Sequence, residues 1–372
     1  MRILFACGGT GGHINPALAV AGYIKERHKD AVITFAGNPK GMEATLVPKA
    51  GFEFRPIVIM GIQRQLNWFN IKYNLRSVFY LATAAQRSRK LLKEFAPDIV
   101  VGTGGYVSGP ILREAAKMGI KTIAHEQNAF PGVTNKLLAR YVDKMLLAVG
   151  EANKHLNCKN FSVVGNPVRE SIIFADREKA REKFGIGSRT CLLSFGGSLG
   201  AKRLNEAIAA VIKDHYKTNR IYHIHATGKL GVSLMPQLLG DEYKAVTESG
   251  NVDIREYIND MDDCLAAADL VIGRAGAITL SELQAAGRAS ILIPSPNVAE
   301  NHQYHNAMVL AAKDAAVVIE EKDLTGEVLS AAVMKLLYDP KRLKQLGENA
   351  QAMAIIDANR RIYDEIMAAL KG

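Results

Sequence analysis

Short apolar runs, each followed by glycines or polar residues, recur through both halves of the chain and predict buried β-strands. In the first half they lie at 2–7, 31–36, 97–101, 121–124, 145–148 and 161–164. In the second half they lie at 190–195, 222–226, 252–255, 269–272, 290–293 and 317–319. Helical segments alternate with these strands, which is typical of an α/β fold with parallel sheets. We therefore predict two Rossmann-like, doubly wound domains that face a cleft, at 1–165 and 166–344.

Glycine-rich turns follow four of the predicted strands. They read GGTGGH at 8–13, GTGG at 102–105, GGSLG at 196–200 and GRAG at 273–276. A helix that begins after such a turn leaves its first N–H groups unpaired at the positive end of its dipole, which favours a bound phosphate. The turns therefore predict an anion site in each domain.

The segment 271–307 contains the strongest candidate ligand site. Its turn leads into a helix predicted over Thr279–Ala286, in which Glu282 lies one turn from the start. A carboxylate would repel phosphate, but it can accept two hydrogen bonds from a diol such as ribose. The next stretch, Pro294–His305, is predicted as a polar binding loop ahead of a new helix. An ordinary βαβ unit with a capped helix is the alternative that this segment leaves open.

The composition indicates a globular protein with an anionic partner. The chain has 372 residues, a net charge of +10 and a pI near 9.3. This charge favours nucleic acid, an anionic membrane or phosphorylated ligands, and no nucleic-acid motif supports the first. Four scattered cysteines without CxxC spacing predict neither a zinc site nor a disulfide framework. Without a signal-peptide pattern or a membrane-spanning apolar run, the sequence predicts a cytoplasmic protein.

One stretch differs from the rest in charge. Between Glu53 and Glu94 the chain has eight basic residues and no acidic ones. Aromatic and aliphatic residues, including the only tryptophan, Trp68, alternate with these cations over Ile57–Lys93. On a loop and an amphipathic helix, this pattern favours docking to an anionic lipid surface. The alternative is a basic helix that packs its apolar face into the core.

Candidate acid–base groups occur in two places in the first half. His13 is held by glycines at the start of a helix, which makes it a candidate general base. The polar run His125–Asn128 follows another predicted strand. Open α/β sheets bind ligands at the carboxyl ends of their strands, so this run indicates a binding site.

Two other patterns bear on cofactors and metals. A dinucleotide-binding domain needs an acid at the end of its second strand, and here Ala36 is followed by Gly37-Asn38-Pro39, which weighs against a nicotinamide oxidoreductase. Asp260 and Asp262 have the DxD spacing of metal-dependent glycosyltransferases. Their place at a predicted helix start favours N-capping and dipole compensation instead.

Six longer motifs occur in order along nearly the whole chain. They are GGTGGHINPALA at 8–19, GTGGYVSGP at 102–110, HEQNAFPG at 125–132, GNPVR at 165–169, FGGSLGA at 195–201 and GAITLSEL at 276–283. Together they resemble the MurG family of peptidoglycan N-acetylglucosaminyltransferases. The resemblance implies the two-domain GT-B architecture, with inverting transfer of GlcNAc from UDP-GlcNAc to the C4 hydroxyl of MurNAc in undecaprenyl-diphospho-muramoyl-pentapeptide, which converts lipid I to lipid II.

The resemblance also has consequences for partners and location. It implies neither a bound metal nor a cofactor. It implies a peripheral protein on the cytoplasmic face of the inner membrane, with Ile57–Lys93 towards anionic lipid. A C-terminal helix, 345–372, is expected to return to the first domain.

Individual roles follow from the same resemblance. For the UDP-GlcNAc site of the second domain it implies Arg169, Ser198, Ile258, Ala277, Ile278, Thr279, Leu280, Ser281, Glu282 and Gln303. For the first domain it implies substrate contacts from Thr10, Gly11, Gly12 and Asn128, and catalytic roles for His13, Tyr106 and Glu126. Glu282 would hold the ribose hydroxyls, and the helix start at 277–281 the diphosphate. His13 is the first candidate for the general base and Glu126 the second.

Three other functions remain open at this point. A UDP-GlcNAc epimerase of the same architecture would need no lipid acceptor, and it explains the basic apolar stretch poorly. A nicotinamide oxidoreductase is disfavoured by the missing acid. A non-catalytic nucleotide-sugar-binding module would not need His13, Tyr106 and Glu126 together.

Overall fold

The computed structural model describes residues 1–59, 83–156, 158 and 160–371. The chain divides into two compact units. Unit 1 comprises Met1–Pro167 and Asp357–Gly372, and unit 2 comprises Val168–Ile356. Each unit has its own parallel sheet and its own core.

Unit 1 is built on a sheet of seven parallel strands within the described residues, in the order β3-β2-β1-β4-β5-β6-β7. The strands are β1 (Arg2–Cys7), β2 (Val32–Gly37), β3 (Glu53–Pro56), β4 (Ile99–Gly104), β5 (Lys121–Glu126), β6 (Lys144–Leu147) and β7 (Phe161–Val163). The helices of this part are α1 (Gly11–Arg27), α2 (Glu43–Lys49), α3 (83–95), α4 (Ser108–Lys117) and α5 (Val133–Leu138), with a 3₁₀ turn at Gly150–His155. The strand order reverses between β1 and β4, which defines the switch point of a doubly wound sheet.

Unit 2 repeats this architecture with six parallel strands in the order β10-β9-β8-β11-β12-β13. The strands are β8 (Thr190–Phe195), β9 (Ile221–Ala226), β10 (Val252–Arg255), β11 (Leu270–Gly273), β12 (Ala289–Leu292) and β13 (Val317–Val318). The helices are α6 (Glu170–Ile173), α7 (Arg177–Lys183), α8 (Lys202–His215), α9 (Leu234–Leu239), α10 (Tyr243–Glu248), α11 (Met261–Ala267), α12 (Ala277–Ala286), α13 (His302–Ala311), α14 (Gly326–Leu337) and α15 (Pro340–Ala352). Short 3₁₀ turns lie at Tyr216–Thr218, Gly240–Glu242, Ala299–Asn301 and Glu321–Asp323. Here the switch point lies between β8 and β11.

The continuous apolar runs of the sequence correspond to strands that are covered on both faces. In β1, Leu4 belongs to the core on one face of the sheet, whereas Ile3 and Phe5 belong to the core on the other. A strand with two buried faces cannot alternate polar and apolar residues, so it reads as one apolar block. The predicted fold of two doubly wound α/β domains is therefore confirmed.

The end of the chain differs from its prediction. A single C-terminal helix, 345–372, was predicted to return to the first domain. The structure has two helices there, α15 and then α16 (Ala358–Lys371), and only α16 belongs to unit 1. The reason is packing: Leu346 and Ala350 of α15 are buried in the cores of unit 2, whereas Ile362 and Ile366 of α16 are buried in a core of unit 1, where α16 contacts α1 and β5.

The basic stretch Ile57–Lys93 is described only in part. Residues 60–82 lie outside the described residues, and 57–59 and α3 lie within them. Helix α3 is amphipathic as predicted, and its residues Ala84, Leu91, Leu92 and Phe95 are buried in the core of unit 1. In this part of the stretch, the structure therefore has the alternative arrangement, a basic helix that packs its apolar face into the core. No helix among the described residues is long and apolar enough to cross a membrane.

Candidate active site

The first candidate site lies at the switch point of unit 1, where β1 and β4 are neighbours. Helix α1 begins at Gly11, so Gly11 and Gly12 lie in its first turn and Pro16 lies further inside. Thr10 is the N-cap residue and is extended, and its hydroxyl makes no capping hydrogen bond to the helix. The first N–H groups of an α-helix have no intrahelical partner, so this turn offers donors to a ligand.

His13 lies in this turn with its ring half-buried. Its Nδ1 is 3.1 Å from Oε1 of Gln127. Its backbone carbonyl accepts a hydrogen bond of 2.7 Å from the hydroxyl of Thr103 on β4. Both the backbone and the ring of His13 are therefore fixed by the neighbouring strands, which suits a group that must be held in place.

The two glycine turns of unit 1 pack against each other through their backbones. A Cβ on Gly105, whose φ is +80°, would lie 2.3 Å from the carbonyl oxygen of Gly8. A Cβ on Gly104, whose φ is +107°, would lie 2.7 Å from Nδ1 of His13. Glycine is required at both positions because of the left-handed backbone and the lack of space. This close approach is what brings His13 beside β4.

Glu126 lies at the end of β5 and is buried. Its Oε1 accepts hydrogen bonds from the backbone and side-chain amides of Asn128, at 2.9 and 3.0 Å. Its Oε2 accepts from Nδ2 of Asn135 at 2.8 Å and from the N–H of Gly132 at 3.1 Å. With four donors on its two oxygens, this carboxylate is arranged to hold Asn128 and the loop after β5.

The buried carboxylate of Glu43 stabilises the glycine turn at 8–13 by hydrogen bonds. Glu43, the first residue of α2, accepts hydrogen bonds from the N–H groups of Asn38 and Gly9, at 2.9 and 3.2 Å. Burial, with Glu43 adding to the effect, raises the pKa of the Cys7 thiol well above its usual range. The side chain of Asn38 also donates to the hydroxyl of Tyr106, at 3.2 Å. Glu43 and Tyr106 are thus both tied to the turn that carries His13.

The second candidate site lies at the switch point of unit 2. The glycine turn after β8 packs on the loop after β9 through backbone atoms: the N–H groups of Lys229 and Leu230 donate to the carbonyls of Ser198 and Leu199, at 3.2 and 3.0 Å. A Cβ on Gly200, whose φ is +82°, would lie 2.2 Å from the carbonyl oxygen of Thr227. This turn is held almost entirely by backbone groups.

Helix α12 provides the predicted carboxylate. The helix begins at Ala277 after an extended Gly276 and ends at Gly287, whose φ is +62°. Glu282 is largely buried, and its Oε1 accepts a hydrogen bond of 3.1 Å from Nη2 of Arg169. Burial raises the pKa of Glu282, and the nearby Arg169 opposes this shift. Oε2 makes no hydrogen bond to a described residue, so it is the oxygen that can accept from a ligand hydroxyl.

The other predicted residues of unit 2 surround this helix and the glycine turn. Ile258 is buried in the same core as Leu280, and the hydroxyl of Ser281 donates to the carbonyl of Ala277 at 3.1 Å. Gln303 was predicted in a loop, but it lies on α13, which begins at His302. Its Oε1 accepts a hydrogen bond of 2.9 Å from the N–H of Ser295. Gln303 therefore fixes the loop after β12 rather than extending freely from it.

The predicted capping role of Asp260 is wrong in detail. Asp260 precedes α11 but its carboxylate makes no capping hydrogen bond. It instead binds Nη1 of Arg255 at 2.8 Å and Nζ of Lys183 at 3.0 Å. Two cations compete better for a carboxylate than a backbone amide does. Among the residues that the structure describes, no group of acids, histidines and cysteines is arranged to hold a metal ion.

Sequence reasoning missed three supporting groups. Gln127 and Glu43 are far from His13 and Gly9 along the chain, so no local pattern connects them. Arg274 of the GRAG turn forms an ion pair with Glu321 and donates to the carbonyl of Ile293, at 3.1 Å for the latter. Of the three, only Gln127 could have been predicted, because it lies within the polar run after β5.

Comparison with known proteins identifies the class to which these two sites belong. The family model for the glycosyltransferase family 28 N-terminal domain matches residues 3–147, and the model for the C-terminal domain of the same family matches residues 191–362. A solved structure of MurG from Acinetobacter baumannii superposes with a TM-score of 0.78 at 29% identity, covering 99% of both chains. A putative UDP-N-acetylglucosamine 2-epimerase from Listeria monocytogenes shares the fold, with a TM-score of 0.67 at 13% identity, covering all of this chain and 96% of that one. The class is therefore a glycosyltransferase built on two doubly wound domains.

Sequence relatives narrow this class. The chain is 44% identical to the UDP-N-acetylglucosamine–N-acetylmuramyl-(pentapeptide) pyrophosphoryl-undecaprenol N-acetylglucosamine transferase of Acetivibrio thermocellus, over 100% of this chain and 99% of the relative. The chain belongs to this MurG family of glycosyltransferase family 28. The prediction from the six motifs is confirmed at the level of family and reaction class.

Proposed function

We propose that this protein transfers GlcNAc from UDP-GlcNAc to the C4 hydroxyl of MurNAc in undecaprenyl-diphospho-muramoyl-pentapeptide, with inversion at the anomeric carbon. The observation that carries the proposal is that the switch point of unit 1 holds a fixed histidine, and that of unit 2 holds a buried carboxylate and an open helix start. Membership of the MurG family, whose member in Acetivibrio thermocellus is named for this transfer, supports the same substrates.

In the proposed reaction His13 is the general base. Its Nε2, which makes no hydrogen bond to a described residue, takes the proton of the acceptor hydroxyl. The hydroxyl oxygen forms a bond to the anomeric carbon while the bond from that carbon to the diphosphate oxygen breaks, and UDP leaves with the electron pair. Glu126 is the weaker candidate for this role because four hydrogen bonds already occupy its two oxygens.

The leaving diphosphate needs its growing negative charge stabilised. We assign this role to the N–H groups at the start of α12, from Ala277 to Thr279, together with the glycine turn around Ser198 and the guanidinium of Arg169. From Leu280 onwards the N–H groups are bonded within the helix, Leu280 to the carbonyl of Gly276 at 3.0 Å. Preorganised donors of this kind stabilise developing charge without reorganisation during the reaction. Glu282 accepts from the ribose hydroxyls, and the backbone of Ile258 contacts uracil, with Gln303 holding the adjacent loop.

A single assay tests the transfer. The purified protein is incubated with radiolabelled UDP-GlcNAc, with and without a lipid I analogue, and the lipid fraction is counted. We expect label in this fraction only when the acceptor is present, and none with an analogue whose MurNAc C4 hydroxyl is methylated. Conversion of the donor to another UDP-sugar without acceptor would instead identify an epimerase and contradict the proposal.

The lipid-linked acceptor requires the protein to work at a membrane surface. We assign this contact to the basic stretch Ile57–Lys93 and place the protein on the cytoplasmic face of the membrane as a peripheral protein. Because α3 buries its apolar residues, its described part can offer lipid only charge. Arg89 is bonded to the buried Glu114 at 2.6 Å, so the exposed Lys90 and Lys93 are the better candidates for phosphate headgroups.

Vesicle sedimentation tests this assignment. Replacing Lys90 and Lys93 with Gln should weaken binding to phosphatidylglycerol vesicles by about 1 kcal/mol per lysine and leave phosphatidylcholine unaffected. The matched control replaces Lys179 and Lys244 of unit 2, which are equally exposed and also have acidic neighbours. If both double variants lose the same affinity, net charge alone explains the binding and α3 is not the contact.

A further inference from the structure

We propose that Gln127 is a positioning residue that holds His13 as the Nδ1–H tautomer and so leaves Nε2 as the basic nitrogen. The inference rests on the proposed role of His13 as the general base, and it assigns to this site the group that decides which ring nitrogen can act. The neutral ring of histidine carries one proton, and the nitrogen that carries it is set by the hydrogen bond that this nitrogen makes.

The orientation of the Gln127 amide follows from its surroundings. Its Nε2 lies 2.8 Å from the carbonyl oxygen of Thr103 and 3.2 Å from that of His125. Carbonyl oxygens only accept hydrogen bonds, so the group that faces them must be the NH₂. The opposite orientation would place the amide oxygen against two carbonyl oxygens in a buried site, which is strongly unfavourable. Oε1 therefore faces His13.

His125 supports the same orientation from the other side. Its Nε2 lies 2.9 Å from the carbonyl oxygen of Gly165 and must donate to it. Burial lowers the pKa of His125, so its ring is neutral and its Nδ1 carries a lone pair. This Nδ1 lies 3.0 Å from Nε2 of Gln127 and accepts one of its two N–H bonds. The other N–H donates to the carbonyl of Thr103 at 2.8 Å, and the longer contact with the carbonyl of His125, at 3.2 Å, is a shared one. In this series of hydrogen bonds, from Gly165 through His125 to Gln127, each group can therefore be assigned as donor or acceptor in only one way.

The assignment reaches the ring of His13. Oε1 of Gln127 can only accept, and it lies 3.1 Å from Nδ1 of His13, so Nδ1 carries the proton. Nε2 is then left with its lone pair, in the state that a base needs before it takes the proton of a hydroxyl. The backbone carbonyl of Gly165, in the loop after β7, is therefore coupled through His125 and Gln127 to the ring nitrogen that takes the proton. The aspartate of a Ser-His-Asp triad has the same physical role.

The hydrogen bond also stabilises the transition state. When Nε2 takes the proton, the ring becomes a cation with Nδ1–H still directed at Oε1. Hydrogen bonds that involve a charged group are stronger than neutral ones, so this bond strengthens as the reaction proceeds. Gln127 touches neither reacting atom and acts only through His13.

Nitrogen NMR of the unmodified protein is the direct test. With ¹⁵N-labelled histidine, the His13 signals are assigned by their loss in His13→Ala. We expect the neutral His13 ring to show a protonated Nδ1 and a bare Nε2. A protonated Nε2 in the unmodified protein would overturn the proposal, whatever the activity of any variant.

Three substitutions separate positioning from packing. Gln127→Met keeps the length of the side chain but removes the acceptor, and we expect kcat to fall by between about 10-fold and the ~10²–10⁴-fold attributable to a general base. The KM for UDP-GlcNAc should stay within about twofold, because the proposed donor site lies in the other unit. Gln127→Glu retains an acceptor oxygen opposite Nδ1, but its second oxygen faces the carbonyls of Thr103 and His125 and can donate to them only when it is protonated. We therefore expect it to keep the tautomer and more of the turnover than Gln127→Met only at a pH at which that carboxyl is protonated. Gln237→Ala, on the exposed face of α9, is the matched control.

The outcomes distinguish this proposal from the one on which it rests. If His13→Ala keeps normal turnover, His13 is not the base, and the NMR result alone then decides whether Gln127 fixes its tautomer. If His13→Ala is inactive but Gln127→Met keeps both the Nδ1–H tautomer and normal kcat, the base remains and the role of Gln127 is wrong. Thermal unfolding of each variant, with UDP-GlcNAc binding, excludes loss of the fold as the cause of lost turnover.

Discussion

The two glycine turns at the switch points have the same local architecture but different support. In unit 1 the turn is held by buried polar side chains, with Glu43 beneath it and Gln127 beside His13. In unit 2 the turn is held by backbone hydrogen bonds to the loop after β9. Backbone groups can hold an anion, but only a side chain can take and release a proton near neutral pH. The comparison shows that the proposed general base lies in the turn held by side chains, whereas the proposed anion site lies in the turn held by backbone groups.

The largest effect should come from the side chain that is special to unit 1. His13→Ala should lower kcat by about 10²–10⁴-fold, the usual contribution of a general base. UDP-GlcNAc affinity, measured by calorimetry, should be unchanged because most of the residues proposed to bind the donor lie in unit 2. If His13→Ala keeps a turnover close to that of the unmodified protein, the turn of unit 1 does not provide the general base, and the proposed difference between the two units is wrong.

Buried histidines in unit 2 make its stability depend on acid. His215, His223 and His225 form a hydrogen-bonded chain with Ser194, at 3.0 Å between the first two rings and 2.8 Å for each bond to the hydroxyl. Burial lowers the pKa of His215 and of His225 from 6.5 to about 4, and lowers that of His223 well below 6.5. These rings are neutral in the folded protein and take up protons on unfolding below pH 6.5. Their stabilisation is therefore complete above that pH and is lost as the pH falls from 6.5 towards 4.

For His215 and His225 the loss amounts to about 2 kcal/mol each by pH 5. Urea unfolding at pH 7.5, 6 and 5, followed by a probe in unit 2, measures it. His225→Gln should make the dependence shallower, whereas replacing the solvent-accessible His302 should not. Equal slopes in all three proteins would show that the chain of buried rings is not the source.

The carboxylate of α12 should matter for binding and not for chemistry. Glu282→Ala removes a hydrogen bond to a charged acceptor, worth about 1.5–3 kcal/mol, so the Kd of UDP should rise by roughly 10- to 100-fold. The kcat at saturating donor should change little. Because the role assigned to Glu282 is to accept from ribose hydroxyls, the loss should disappear with 2′,3′-dideoxy-UDP. An equal loss with the dideoxy nucleotide would show that Glu282 acts through the fold of α12 instead.

The sequence predicts the features that depend on neighbouring residues, and it does not predict the contacts between residues that are distant in the chain. The glycine turns, the helix with Glu282 and the apolar strands are visible because each depends on residues close together in the chain. The support of His13 by Gln127 is not visible, since it exists only once β1 and β5 are in the same sheet. The polar residues after Pro294 could not reveal that a helix begins at His302, because polar side chains suit a helix end and a loop equally. The break between α15 and α16 has no glycine or proline to mark it, and it is set by which core each helix fills.

The smallest effects, on stability, test whether both turns need their close backbone approach. Gly105→Ala in unit 1 and Gly200→Ala in unit 2 would each introduce a Cβ within 2.3 Å or less of a carbonyl oxygen, at a φ of +80° and +82°. Gly119 and Gly250 also have positive φ, at +74° and +71°, but a Cβ there would meet no atom within 4 Å. In the controls, the strain of a left-handed alanine should lower the free energy of unfolding by about 1 kcal/mol. In the two turn variants the backbones must also move apart, so the free energy of unfolding should fall by about 2 kcal/mol or more. Urea unfolding measures both, and Gly105→Ala should in addition lower kcat, since the ring of His13 lies against the same turn. If Gly105→Ala costs no more than Gly119→Ala, the packing of the two turns does not hold His13 in place, and the side chains of Gln127 and Thr103 do so alone.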